Sequence, residues 1–332
     1  MQRNGRGVVV VTGGSAGLGR AIAREFARQG AHVAVIARER TRLEETRREL
    51  ATHGVQSVAI EADVADAAQV EAAASRVEQE LGPIDIWVNN AMVTMVAPVA
   101  QMKPDEFKRI SDVTYLGTVW GTMAALRRMR PRNRGTIVQV GSALAYRSIP
   151  LQSAYCGAKH AVRGFTESVR TELLHDGSQV GISVVELPGV NTPQFGWCRT
   201  TMDKSPQPLG AVYQPEVIAR AIAWAARCGR RETYATFASA LAIWGDKIVP
   251  GLLDRYLSHA AWEGQQSPDP VAHDRPDNLF APVPGPMAAR GGFDGIARSH
   301  SASLWATQHR TGLLLGAAAL LTLGWQAARA RR

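Results

Sequence analysis

The sequence predicts an α/β protein: a doubly wound, parallel seven-stranded sheet with helices on both faces, followed by a C-terminal extension. Two observations carry this. Short β-branched runs alternate with amphipathic helical stretches from residue 7 to about residue 236, a rhythm that calls for a parallel sheet with crossover helices. In addition, 332 residues with 45% apolar content are enough to bury a large core.

Taken in order, VVVVT (8–12) leads through a glycine-rich turn into a helix near 18–29, with Gly30 placed to cap its C-terminus. HVAVIA (32–37) precedes a helix near 41–53, and VQSVAI (55–60) precedes one near 66–81. IDIWVNN (84–90) is followed by a long helical stretch over 105–129, and GTIVQV (135–140) by a helix over 153–175. VGISVVEL (180–187), a helix near 215–227 and TYATF (233–237) complete the alternation.

The formal charge of +9 comes mostly from arginines dispersed along the helices. The dense run RRMRPRNR (127–134) reads as a solvated helix end whose cations complement the helix dipole, with contact to anionic lipid as the sharper alternative. Nucleic acid is not expected as a partner, because no recognition motif accompanies the charge. Cys156, Cys198 and Cys228 are widely spaced and odd in number, which suits free thiols in a reducing compartment. The histidines form no metal-binding spacing, so no metal is expected. The N-terminus runs directly into a short strand without a signal-peptide pattern, and a cytoplasmic protein is expected.

Chemistry is concentrated in three places. In YCGAK (155–159), Tyr155 and Lys159 are four residues apart and share a helix face. A fixed ammonium beside a phenol favours the phenolate and is expected to lower the tyrosine's pKa from its ordinary value of about 10. In TGGSAGLG (12–19), Gly13, Gly17 and Gly19 sit between a strand and a helix, where backbone can approach a phosphate and helix amides point at it. The end of the second strand reads Ala37–Arg38, with no acid at the position that would bind a ribose hydroxyl and a guanidinium available for a 2′-phosphate.

The spacing TGxxxGxG, together with Asn89-Asn90-Ala91, Ser142 and Tyr155/Lys159, resembles the short-chain dehydrogenase/reductase family over roughly residues 5 to 237. The resemblance implies a Rossmann fold and hydride transfer between a nicotinamide cofactor and an alcohol or carbonyl. It implies Tyr155 as acid/base, Lys159 as the residue that lowers its pKa and holds the nicotinamide ribose, and Ser142 as the hydroxyl that orients the substrate oxygen. It further implies a cofactor site of Gly13, Ser15, Gly17, Leu18, Gly19, Arg38, Asp63, Val64, Asn90, Ala91, Val190 and Thr192, besides Tyr155 and Lys159. With Arg38 in place, NADP(H) is the expected cofactor.

Three positions depart from the family pattern. Thr114 stands where many relatives carry an asparagine whose carbonyl holds a water of the proton relay, a task a threonine carbonyl could still perform. Met92 replaces a glycine beside the nicotinamide. In ELPGVNTPQF (186–195), counting back from Thr192 puts the family's Pro-Gly pair on Leu187 and Pro188, or else one residue is missing. A catalytically silent NADP-binding scaffold is the alternative to an enzyme; the intact Ser142, Tyr155 and Lys159 argue against it.

Within 191–214, Phe195, Trp197 and Met202 are expected to form an apolar lid favouring a hydrophobic alcohol, ketone or aldehyde. Residues 1–237 are read as the catalytic domain and 238–263 as a helical extension, whose stretch 243–262 covers the substrate entrance or builds a contact in a homo-oligomer. Residues 264–300 are rich in proline and glycine and are expected to wrap the body. Within 301–332, residues 311–328 run 18 residues without a charge. That is at the lower edge of a membrane span, so this helix spans a membrane, lies on one or packs on a partner subunit.

Overall fold

The computed structural model describes residues 7–236, 245–248, 250–272, 274–286 and 288–313, with 322, 325, 326 and 329. The strands are β1 (Val8–Thr12), β2 (His32–Ala37), β3 (Ser57–Glu61), β4 (Ile84–Asn89), β5 (Met95–Val96), β6 (Thr136–Val140), β7 (Gly181–Glu186), β8 (Gly189–Val190), β9 (Arg199–Thr200), β10 (Lys204–Pro206), β11 (Val212–Tyr213), β12 (Glu232–Tyr234) and β13 (Gln266–Pro270). The helices are α1 (Gly17–Arg28), α2 (Arg40–Ala51), α3 (Ala67–Leu81), α4 (Pro104–Ser111), α5 (Gly117–Met129), α6 (Ser153–His175), α7 (Gln194–Trp197), α8 (Pro215–Cys228), α9 (Pro250–Gly264) and α10 (Ala302–Gln308).

Seven strands form the central sheet in the order β12-β7-β6-β4-β1-β2-β3, all pairs parallel. Parallel strands are covered on both faces, and β1 is accordingly buried at every position. Alternate residues face opposite layers. Val8, Val10, Ile36, Trp87 and Ile137 pack with α3, α5 and α6, whereas Val9, Val11, Val35, Val88 and Val138 pack with α1 and α8. The strand order reverses between β1 and β4, which opens a crevice at their carboxyl ends.

The long helical stretch expected over 105–129 is broken. A π turn over Asp112–Leu116 separates α4 from α5. Two contacts fix it: the Thr114 hydroxyl donates to the Val93 carbonyl at 3.0 Å and accepts from the Val93 N–H at 3.2 Å, while Gly117 passes so close to Val64 that a Cβ there would lie 2.7 Å from its Cγ2. Tertiary anchoring outweighs the regular hydrogen-bond ladder. The last strand is Glu232–Tyr234 rather than 233–237, and residue 237 lies outside the described residues.

The basic run after α5 is folded into ion pairs. Arg127 and Arg128 meet Glu71, Arg132 meets Glu78, Arg130 meets Asp176 and Arg134 meets Asp85. Cys156 and Cys198 are buried and Cys228 is exposed, all three as free thiols. Among the described residues, no helix is long and apolar enough to cross a membrane. Of 311–328, however, only 311–313, 322, 325 and 326 are described, so the expected apolar helix lies largely outside the described residues, as do 243, 244 and 249 of the helical extension.

Candidate active site

A cavity of about 900 Å³ occupies the crevice. Its floor is the turn from β1 into α1. Gly13 adopts φ +67°, a conformation that favours glycine, and an added Cβ at Gly19 would stand 2.1 Å from the Gly13 carbonyl oxygen. Asn90, at the end of β4, donates through Nδ2 to the Thr12 carbonyl at 2.9 Å, and the Asn90 and Ala91 N–H groups donate to the Thr12 hydroxyl at 2.9 and 3.1 Å. Ser15, Leu18, Ala91, Met92, Val190 and Thr192 line the same cavity.

Ser142, Tyr155 and Lys159 converge on this cavity and all three are buried. The Lys159 ammonium lies 5.5 Å from the Tyr155 ring centre and donates to the Val140 carbonyl at 2.6 Å. The Ser142 hydroxyl accepts from the Leu144 N–H at 3.2 Å and lines the same cavity as the phenol.

The lowered phenol pKa expected from the Tyr155/Lys159 spacing is corrected by the structure. Burial pushes Tyr155 above its ordinary range, the Ser142 hydroxyl only partly opposing it. Burial also pulls Lys159 down to about 8, against the pull of Glu186. Removing both groups from water disfavours both charged forms.

Thr114 stands apart from the others. It is buried behind Val93, outside the cavity lining, and its carbonyl accepts from the Thr118 hydroxyl at 3.1 Å. Its side chain fastens the π turn instead of reaching the cleft.

At the other end of the cavity, Arg38 follows β2 as expected, but its guanidinium donates to main-chain carbonyls of the C-terminal segment: Asn278 at 2.6 Å and Phe280 at 2.9 Å. Glu39 also lines the cavity, yet its carboxylate caps α2 by accepting from the Thr41 and Arg42 N–H groups at 3.1 and 2.6 Å. Asp63 and Val64 line this end as well, with the Asp63 carboxylate paired to Arg109. Arg42, absent from the sequence-based site, is only 4% exposed, and its guanidinium lies 5.5 Å over the Trp197 ring.

The expected lid divides. Phe195 and Trp197 line the cavity on the Arg42 side, Phe195 packing edge-on against Phe293, whereas Met202 packs away from it with Val96, Leu151 and Cys198. The apolar wall near Tyr155 comes from Leu144, Ile149, Leu209 and, from the helical extension, Leu253, Tyr256 and Leu257. Arg147 latches that extension through Asp246 at 2.9 Å and Asp254 at 2.6 Å. The described residues of the extension thus line one end of the cleft.

Sequence reading also passes over Glu186, although an acid ending the largely apolar strand GISVVE is a visible anomaly. The residue is 1% exposed, and its Oε2 lies 2.5 Å from where a Cβ at Gly141 would stand and lacks a hydrogen-bond partner among the described residues. Burial, reinforced by Glu232, pushes its pKa up to about 8, and Lys159 pulls against this. A carboxyl whose folded pKa exceeds its unfolded value of 4.5 contributes stability in full below pH 4.5, and that contribution is lost as pH rises through about 8. Between pH 5 and 8 the wild type is therefore expected to lose more melting temperature than Glu186→Gln. Parallel melting curves of the two proteins across that range would refute this.

The sequence profile described as short chain dehydrogenase matches residues 7–202. An uncharacterized oxidoreductase, YxnA, of Bacillus subtilis (strain 168) is 32% identical over 297 residues, covering 89% of this chain and 83% of its own. A 3-dehydrosphinganine reductase of Danio rerio is 31% identical over 222 residues, 64% of this chain and 66% of its own. Among solved structures, an alcohol dehydrogenase from the archaeon Thermococcus sibiricus complexed with 5-hydroxy-NADP superposes with a TM-score of 0.60 at 27% identity, covering 69% of this chain and 96% of its own. A parallel seven-stranded sheet, a glycine turn at its switch point and this match over more than half the sequence lead to one conclusion: the chain belongs to the short-chain dehydrogenase family of oxidoreductases.

Proposed function

We propose that the protein is an NADP(H)-dependent oxidoreductase interconverting a hydrophobic alcohol and its ketone or aldehyde. The observation that carries this reading is the convergence of Ser142, Tyr155 and Lys159 on one cavity whose floor is the glycine turn. The residues fit a nicotinamide dinucleotide. Backbone at Gly13 and Gly19 passes too close for side chains, Glu39 is spent on a helix cap, and arginines surround the end of β2. Such a cofactor, when bound, gives hydride to a carbonyl carbon or takes it from an alcohol.

In the reducing direction, Ser142 hydrogen-bonds the substrate oxygen and steadies the charge developing there, while Tyr155 delivers the proton. A phenol held protonated by burial suits that task. Lys159, fixed by the Val140 carbonyl, keeps a cation within reach of the phenol and of a ribose hydroxyl. Gly13, Ser15, Gly17, Leu18 and Gly19 hold the pyrophosphate, Asp63 and Val64 the adenine, Asn90, Ala91, Val190 and Thr192 the nicotinamide side. The unit performing this is residues 1–237, with Leu253, Tyr256 and Leu257 of the extension at the substrate end.

The apolar wall of Leu144, Ile149, Leu209, Leu253 and Leu257 supports a lipophilic substrate, and the name of the Danio rerio relative agrees with a ketone. Screening lipophilic ketones and aldehydes for NADPH consumption tests the function. Dinucleotide binding with no turnover of any compound would favour a silent scaffold.

For the cofactor, NADPH is expected to bind about tenfold or more tighter than NADH, the worth of one or two charge-assisted hydrogen bonds to a phosphate. Arg38→Ala should remove most of that difference. Equal affinity of the wild type for the two dinucleotides, measured by fluorescence titration, would reject NADP(H).

A further inference from the structure

Residues 274–286 run across the mouth of the cavity at the end of β2, beyond the stretch that the family profile matches. Body and segment are joined mainly through arginines that bind main-chain carbonyls, Arg275 from the segment and Arg38, Arg42 and Arg109 from the body. Arg275 donates to the Phe195 carbonyl at 3.3 Å and the Gly196 carbonyl at 2.5 Å, and Arg38 holds Asn278 and Phe280. Arg109 donates to the Leu279 carbonyl at 3.1 Å, and Arg42 to the carbonyls of Val283 and, at 3.1 Å, Gly285. Farther on, the Gly17 N–H, at the first turn of α1, donates to the Ala288 carbonyl at 3.1 Å.

One apolar side chain anchors the crossing. Leu279 is 0% exposed and inserts into the core cluster that contains Val64 and Val113, directly beside the expected adenine contacts. Asn278, Pro282 and Val283 line the same cavity as Gly13, Ser15 and Arg38. A ligand lying along the glycine turn with one end at Arg38 is therefore enclosed between the sheet and this strap.

We propose that residues 278–283 form the outer wall of the adenosine end of the dinucleotide site, and that the strap must lift for the dinucleotide to enter or leave. The inference rests on the dinucleotide reading of the site. It adds that binding residues are supplied by the C-terminal segment, and that exchange is governed by the release of carbonyls from Arg38 and Arg42. Because most of these grips are to the segment's main chain, they constrain its path more than its side chains, Arg275 and Leu279 excepted.

The experiment uses the full chain. NADPH release is followed by stopped-flow fluorescence after chasing with excess NADP⁺, in the wild type and in Leu279→Gly. Loss of the buried anchor is expected to speed release by about tenfold or more, an effect expressed in the off-rate. In parallel, amide hydrogen exchange of residues 278–281 is measured in the wild type with and without NADPH, which needs no variant to fold, and slower exchange with NADPH is expected. If NADPH binds but release is unchanged in a folded variant, or exchange at 278–281 is indifferent to NADPH, the strap is overturned and the dinucleotide reading stands. If the wild type binds neither NADPH nor NADH, the dinucleotide reading itself falls, and the strap with it.

Discussion

Replacing Tyr155 with phenylalanine is expected to lower kcat/KM by about 10²–10⁴-fold on whichever carbonyl compound the screen identifies, the range spanned by a positioned general acid. The physical reason is specific to this cavity. The phenol is buried, shares the cavity wall with Ser142 and lies beside a fixed ammonium, so its hydroxyl is both held protonated and placed for donation. Phenylalanine removes one oxygen and leaves the ring that packs in the core with Ala154 and Val169. NADPH affinity and melting temperature should therefore change little while turnover collapses. A variant that still reduces the substrate at near wild-type rate would mean that the proton comes from elsewhere, and the assignment of Tyr155 would have to be abandoned.

The second large effect is expected at Gly19. A Cβ at that position would stand 2.1 Å from the Gly13 carbonyl oxygen and 2.6 Å from the Asn90 amide nitrogen. Neither neighbour can yield cheaply. One is backbone in a turn that itself requires φ +67°, and the other ties the turn to β4 through Thr12. Gly19→Ala must therefore shift α1 away from β1, at a cost of about 1–3 kcal/mol for overpacking. The shift also moves the helix N-terminus whose amides would face a pyrophosphate, so NADPH affinity should weaken by about tenfold or more. Thermal melting and fluorescence titration read the two effects separately. Undiminished affinity in the alanine variant would show that the turn is not where the dinucleotide binds.

The candidate site was partly legible in the chain because its main parts are local. A Tyr and Lys four residues apart on a helix, and glycines between a strand and a helix, declare their geometry through short-range spacing. Arg42, Glu186 and Asn278 are different cases. Arg42 matters through the Trp197 ring it covers and the carbonyls of residues 283 and 285, more than 240 positions away, and no short window contains that relation. The place of Arg38 after β2 is visible in the chain, but its engagement by the C-terminal segment is not. Met202 was grouped with Phe195 and Trp197 by proximity in sequence, whereas packing sends it to the cluster around Cys198.

The sequence by itself determined the doubly wound sheet, the order of its strands and helices, and the chemical character of the cleft, because hydrophobic periodicity and glycine placement are properties of neighbouring residues. Only the tertiary structure decided which groups lose their water and what meets across the cavity. Burial raises the Tyr155 phenol where spacing alone favoured the phenolate, Thr114 turns to Val93 instead of the cleft, and a segment far along the chain closes the end of the site near Arg38. Desolvation and long-range backbone contacts arise from the folded shape as a whole, and no local pattern encodes them.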